Sequence, residues 1–175
     1  DEPFAVILPD DVIDGERPCL AQMVEAYEAE GATGCMVAAM DVPREKISSY
    51  GALAIAEDRG RLMRVSGLVE KPAPADAPSR TAVIGRYILT PAVLAALDER
   101  RTGAGGEIQL TDAIAAQAAA GAPVWGYRFE GQRYVCGSKA GYLQATVAFA
   151  LAHPELGEGF ARFLEEVHQH RLAAE

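Results

Sequence analysis

Three short stretches of the sequence hold side chains able to do chemistry. In ILPDDV, Asp10 and Asp11 stand just beyond an apolar run, where a carboxylate is costly unless it is hydrogen-bonded, exposed in a cleft or holding a hard cation. Either the pair caps the following turn or one member binds a metal, and spacing leaves both open. In VEKP, Glu70 and Lys71 leave a strand-like run just ahead of Pro72. A glutamate can accept two hydrogen bonds from sugar hydroxyls, and the lysine beside it is a point charge suited to a phosphate oxygen; the alternative is a solvated charge pair. In SSYG, Gly51 permits close approach to the backbone.

A fourth stretch, RYVCGSKAGYL from Arg133 to Leu143, reads as a strand end turning through Gly137 into a helix that Ser138 caps. Such a turn collects free backbone N–H groups and the positive end of a helix dipole, a ready place for a phosphate. Its last strand position before Cys136 is Val135, which has no oxygen to offer a metal. His153, His168 and His170 all fall in the C-terminal helical region, and two at i and i+2 do not share a helix face, so they read as solvated. Cys19, Cys35 and Cys136 lack CxxC spacing and read as buried reduced thiols. Trp125 reads as core. No Ser-His-Asp set, HExxH, Walker loop or helix-opening GxGxxG is convincingly placed.

The elements that must position these residues follow from periodicity. PFAVIL, stopped by Pro9, suits a strand buried on both faces. Leu20, Met23, Val24 and Tyr27 fall on one helical face, which Gly31 ends. Cys35 to Met40 is again a buried strand, VPREKISSYG a turn or short helix, and LAIAED with LMRVSGLVEKP a hairpin about Gly60. After a proline-containing loop from Ala73 to Ser79, TAVIGRYIL is a strand, and Thr90-Pro91 starts a helix with a capping hydroxyl. A further helix begins near Gln109 and ends at Gly121. VWGYRF is a strand, and two helices close the chain, the last with Phe160, Phe163, Leu164 and Val167 on one face. This face serves either an oligomer interface or cover for the sheet. The alternation favours a layered α/β domain with a mixed sheet.

Bulk properties narrow the classes. The 175 residues, half of them hydrophobic, suffice for one domain with a core, spanning 1–175. A formal charge of -9 without any basic run argues against nucleic acid or an anionic membrane as main partner. No run approaches the roughly eighteen apolar residues of a membrane span, and the start lacks a signal-peptide pattern. The expectation is a soluble, cytoplasmic chain.

In order and interval, LPDD, SSYG, VEKP, AVIGRYIL, GEIQLTDAI and RYxCGSKxGYL make a combination that closely resembles the bacterial UTP-glucose-1-phosphate uridylyltransferases over nearly the whole sequence. The resemblance implies a three-layer α/β/α nucleotidyltransferase fold and the joining of UTP and glucose 1-phosphate into UDP-glucose and pyrophosphate with magnesium (Mg2+). It implies that Asp10 holds the magnesium, that Glu70 binds glucose hydroxyls, that Lys71 neutralises the phosphate, and that Gly51 and Val83 border the sugar. Asp11 is left as a supporting group or a cap.

Two departures stand out. The family carries a glycine-rich loop that grips the nucleotide ahead of the strand leading to Asp10, and this sequence starts after it, so sheet edge and apolar surface are expected to lie uncovered. Where the family has a second metal-binding aspartate, this sequence has Val135. Weaker magnesium binding and a slower chemical step are expected, with the fold intact, since valine suits a strand. The rival readings are a non-catalytic sugar-nucleotide or sugar-phosphate binding module and a transferase for another sugar or nucleotide.

Overall fold

The computed structural model describes residues 2–99, 102–103 and 106–172. Among the described residues eight strands and five α-helices run in the order β1 (Phe4–Ile7), β2 (Asp11–Asp14), α1 (Cys19–Ala29), β3 (Cys35–Asp41), β4 (Gly51–Arg59), β5 (Leu62–Glu70), β6 (Thr81–Leu89), α2 (Pro91–Asp98), α3 (Leu110–Ala119), β7 (Val124–Arg128), β8 (Gln132–Val135), α4 (Lys139–Ala152) and α5 (Gly157–Leu172), with a 3-10 turn at Arg44–Ser49. The chain divides into two compact units, one of Asp1–Pro9 with Ile13–Gln132, the other of Asp10–Val12 with Arg133–Glu175.

In the larger unit six strands form one sheet in the order β1-β6-β3-β7-β5-β4. It is mixed, as expected: β3 and β7 run parallel, and the other neighbours antiparallel. Alternate residues of β3 go to opposite faces, as the pleat requires. Cys35, Val37 and Ala39 join Val93, Ala113 and Ile114 of α2 and α3 on one side. Met36 and Ala38 join Met23 and Tyr27 of α1 and Ile47 of the 3-10 turn on the other. Helices therefore cover both faces, giving the three-layer α/β/α arrangement. Each fully buried large side chain, such as Met23, Leu53 or Ile114, stabilises the fold by about 1.5–3 kcal/mol.

The hairpin is borne out: β4 and β5 pair over their length, and the turn is closed by Gly60, at φ +86°, whose N–H donates to Asp58 Oδ1 at 2.8 Å. Three local expectations need correction. The first strand is not buried on both faces, because β1 lies at the sheet edge, where Phe4 and Val6 pack on the core while Ile7 and the following Leu8 are exposed. In α1 the buried face carries Cys19, Gln22, Met23 and Tyr27, and Val24 is exposed. Gln22 takes the inner place because its amide finds three main-chain partners, Arg17 C=O, Glu130 C=O and Glu130 N–H, each at 2.8 Å, which offsets its burial. At α2, Pro91 opens the helix, but Thr90 makes no side-chain capping bond; its hydroxyl lies 3.8 Å from the Cys35 sulfur.

β2 pairs with β8 in a separate two-stranded sheet that local patterning did not reveal. Within the smaller unit, α4 is capped as expected, Ser138 Oγ accepting from Gly141 N–H at 3.0 Å. Tyr134 meets Phe149 edge-on, with ring centroids 6.3 Å apart. On α5, Phe160 and Leu164 are half-buried, whereas Phe163 and Val167 are exposed.

Candidate functional site

The end of β5 and the start of β4 bring the first cluster together, since Glu70 and Gly51 are paired in register. Lys71 then leaves the ladder with φ +45°, its N–H donating to Tyr50 C=O at 3.0 Å. A left-handed conformation costs a residue with a side chain roughly 1–2 kcal/mol. It persists here because Pro72 disfavours the right-handed alternative for the residue before it and the Tyr50 bond holds the turn. The ammonium lies 3.8 Å from Glu70 Oε1, and the lysine is largely exposed while the Glu70 side chain is only 13% so.

Glu70 is kept in place by a residue that sequence reasoning missed. Thr111, buried near the start of α3, donates its hydroxyl to Glu70 Oε2 at 2.8 Å. Gly51 makes that contact possible. A Cβ at position 51 would lie 2.8 Å from Thr111 Cγ2, 3.2 Å from Glu70 Oε2 and 3.5 Å from Val83 Cγ2. The four expected residues Gly51, Glu70, Lys71 and Val83 thus converge, with Thr111 as a fifth. The signal for Thr111 was its place in GEIQLTDAI, a motif noted without assigning its side chains.

The second cluster lies in the smaller unit. Asp10 is exposed, and its carbonyl accepts from Cys136 N–H at 2.7 Å, which brings the end of β8 alongside the Asp10 turn. Gly137 leaves space for the Asp10 carboxylate, whose Oδ2 lies 3.1 Å from where a Cβ on residue 137 would stand. That carboxylate has no side-chain partner among the described residues. Val135, 37% exposed, contributes its carbonyl to the turn, accepting from Ser138 Oγ at 3.0 Å and Ser138 N–H at 3.1 Å.

Asp11 has a different environment from its neighbour. It is buried, and its Oδ1 accepts from Arg133 Nε at 2.6 Å, with the two side chains 9% and 7% exposed. The choice left open by the sequence resolves as a buried ion pair bracing β2 against β8. Removing one member of such a pair takes the opposite charge away from a buried group, so Arg133→Met is expected to lower unfolding free energy by up to about 3–5 kcal/mol in chemical denaturation. Adding Asp11→Leu should recover much of that loss; a double variant no more stable than the single one would contradict the pairing as its cause.

Magnesium binding can be tested against these groups. Among the described residues no group of three or more His, Cys, Asp or Glu side chains could hold a metal ion. Asp10 offers one free carboxylate and Val135 offers no donor. This donor set fits magnesium only as an ion held by one protein carboxylate, with phosphate oxygens and water completing its shell, a mode magnesium accepts.

Elsewhere the chemistry is quiet. Burial pushes the Cys19 thiol up to about 11, with the Arg86 guanidinium pulling the other way, so it is inert. Cys35 is likewise buried and all three cysteines are unpaired, but Cys136 is only half-buried, contrary to expectation, because it sits in the turn beside Asp10. The three histidines are exposed. Trp125 is core, with the Arg59 and Arg64 guanidinium carbons 5.6 and 5.0 Å from its ring centroid. No described helix is long and apolar enough to cross a membrane.

Comparison with known proteins adds the following. A family model described as nucleotidyl transferase matches residues 1–149. A UTP-glucose-1-phosphate uridylyltransferase of Komagataeibacter xylinus is 51% identical over 138 residues, 79% of this chain and 48% of that protein. A solved UDP-glucose pyrophosphorylase in complex with UDP-glucose is 40% identical with a TM-score of 0.79, covering 87% of this chain and 57% of that one. A UTP-bound UGPase from Acinetobacter baumannii is 36% identical with a TM-score of 0.80, covering 94% and 56%. The chain spans about half the length of the curated relatives it matches.

Proposed function

The chain belongs to the nucleotidyl transferase family, and from that premise we propose that it forms the sugar-phosphate-binding and C-terminal part of a uridylyltransferase domain. The reaction joins UTP and glucose 1-phosphate into UDP-glucose and pyrophosphate. The observation that carries this reading is the cluster of Glu70, Lys71, Gly51, Val83 and Thr111. It sets a nearly buried, fixed carboxylate beside an exposed ammonium, with the acceptor suited to sugar hydroxyls and the cation suited to phosphate. The identity to named uridylyltransferases supports the choice of glucose and uridine.

In the transfer a phosphate oxygen of the sugar attacks the α-phosphorus of UTP in line, so the protein's task is positioning and charge neutralisation. Glu70 accepts from glucose hydroxyls and fixes the ring. Lys71 offsets negative charge on the attacking phosphate. Asp10 is the residue that would hold magnesium. The ion, when bound, supplies positive charge to phosphate oxygens.

Release of pyrophosphate from UTP and glucose 1-phosphate by the intact protein, with magnesium present, tests the reaction. Val135 favours one second reading, a domain that binds the sugar nucleotide without turnover. Under it UDP-glucose would bind and no pyrophosphate would appear. Within the transferase reading, Gly51→Ala should weaken glucose 1-phosphate binding on the order of ten- to a hundredfold, because displaced positioning groups carry penalties of that size. The added methyl meets Thr111 Cγ2 at 2.8 Å and must shift it or Glu70. Titration calorimetry measures the effect, and unchanged affinity in a folded variant would show that the space at Gly51 is not used.

A further inference from the structure

Thr111 stands out because it is a buried polar side chain, far from Glu70 in sequence, whose two branches meet two different parts of the cluster. Its hydroxyl donates to Glu70 Oε2 at 2.8 Å. Its methyl fills the space that Gly51 leaves open, 2.8 Å from where a Cβ would be. Threonine has few side-chain rotamers, and contacts on both branches select one. The bond is also charge-assisted, the stronger kind. A carboxylate on a two-torsion stem would otherwise rotate freely at its end.

The two oxygens of Glu70 are thereby made unequal. Oε2 is tied to Thr111, and Oε1 faces the Lys71 ammonium at 3.8 Å. On the reading that this cluster binds glucose 1-phosphate, we infer that Thr111 is a positioning residue that sets the orientation of the Glu70 carboxylate and so the hydroxyl pattern of the sugar the site accepts. The hydroxyl of Thr111 acts through Glu70 and does not itself touch the reacting atoms. α3 contributes to sugar selection in this way, although the charged residues of the site lie on the β5 end.

The experiment compares Thr111→Val, which keeps the shape and the methyl but loses the donor, with Thr111→Ser, which keeps the donor. Both are made in the intact protein. Binding of glucose 1-phosphate and of each monodeoxy glucose 1-phosphate is measured by calorimetry. Thr111→Val is expected to weaken glucose 1-phosphate binding about tenfold, the size expected for a lost hydrogen bond to a charged group. It should raise KM with kcat less affected, and Thr111→Ser should restore affinity to within about twofold.

The deoxy sugars separate orientation from general damage. In the unsubstituted protein, at least one deoxy compound should bind more weakly than glucose 1-phosphate, marking the hydroxyl that Glu70 accepts. That penalty should shrink in Thr111→Val, because energies of groups acting through one contact are coupled. A penalty of undiminished size, or equal losses in the valine and serine variants, would overturn the inference while leaving the sugar site standing. Glu70→Gln is the separate control. If it binds glucose 1-phosphate as the unsubstituted protein does, the sugar-site reading itself falls, and the role of Thr111 with it.

Discussion

Lys71→Met is expected to lower kcat/KM for glucose 1-phosphate by about 10²- to 10³-fold, the loss that follows removal of one preorganised charge-stabilising group. Methionine keeps the length and apolar stem of lysine, so the change is confined to the charge. The lysine side chain is 57% exposed and its ammonium faces a single carboxylate at 3.8 Å, so the fold should lose little. Lys71→Arg should not restore activity fully, because a planar fork differs from a compact ammonium in reach and donor geometry. Arginine would also have to accept φ +45° before Pro72. Steady-state kinetics over both substrates checks this. A variant with normal kcat/KM would remove Lys71 from the transfer step.

The second large effect runs in the opposite direction. Val135→Asp is expected to lower the magnesium concentration needed for half-maximal activity by about tenfold and to raise kcat, since affinity for a hard cation rises with the number of charged oxygen ligands. The geometry allows the change. Val135 is 37% exposed, so a carboxylate there stays partly solvated. The turn uses the residue's carbonyl, not its side chain, to hold Ser138. Exposed substitutions of this sort usually move stability by no more than about 0.5 kcal/mol. Magnesium titration of activity in the two proteins decides the matter, and identical curves would show that the valine does not limit the metal.

Much of the larger unit was legible because its signals are local. The buried runs of β3 and β6, the hairpin about Gly60 and the stop at Gly121 all follow from apolar patterning and turn chemistry within a few residues. The placing of Glu70 and Lys71 side by side where a strand ends was legible for the same reason. What escaped depends on partners distant in sequence. Asp11 and Arg133 pair across 122 positions, so nothing near DVID announces a ladder with β8 or a buried ion pair. Gln22 takes a buried place on α1 because Glu130, 108 positions away, supplies hydrogen bonds to its amide. Thr111 sits 41 positions from Glu70, and a threonine in the first turn of a helix looks locally like a helix-start residue. Thr90 shows the converse, a sound local cap signal set aside by a tertiary contact with Cys35.

The most direct measurement is calorimetric titration of UDP-glucose into the intact protein, with and without magnesium, alongside Glu70→Gln and Lys71→Met. A sugar-phosphate site built on these residues requires saturable binding that tightens with magnesium and weakens at least several-fold in each variant, with both variants still folded. Binding that is the same in all three proteins would contradict it, and would move recognition of the sugar and its phosphate away from the end of β5.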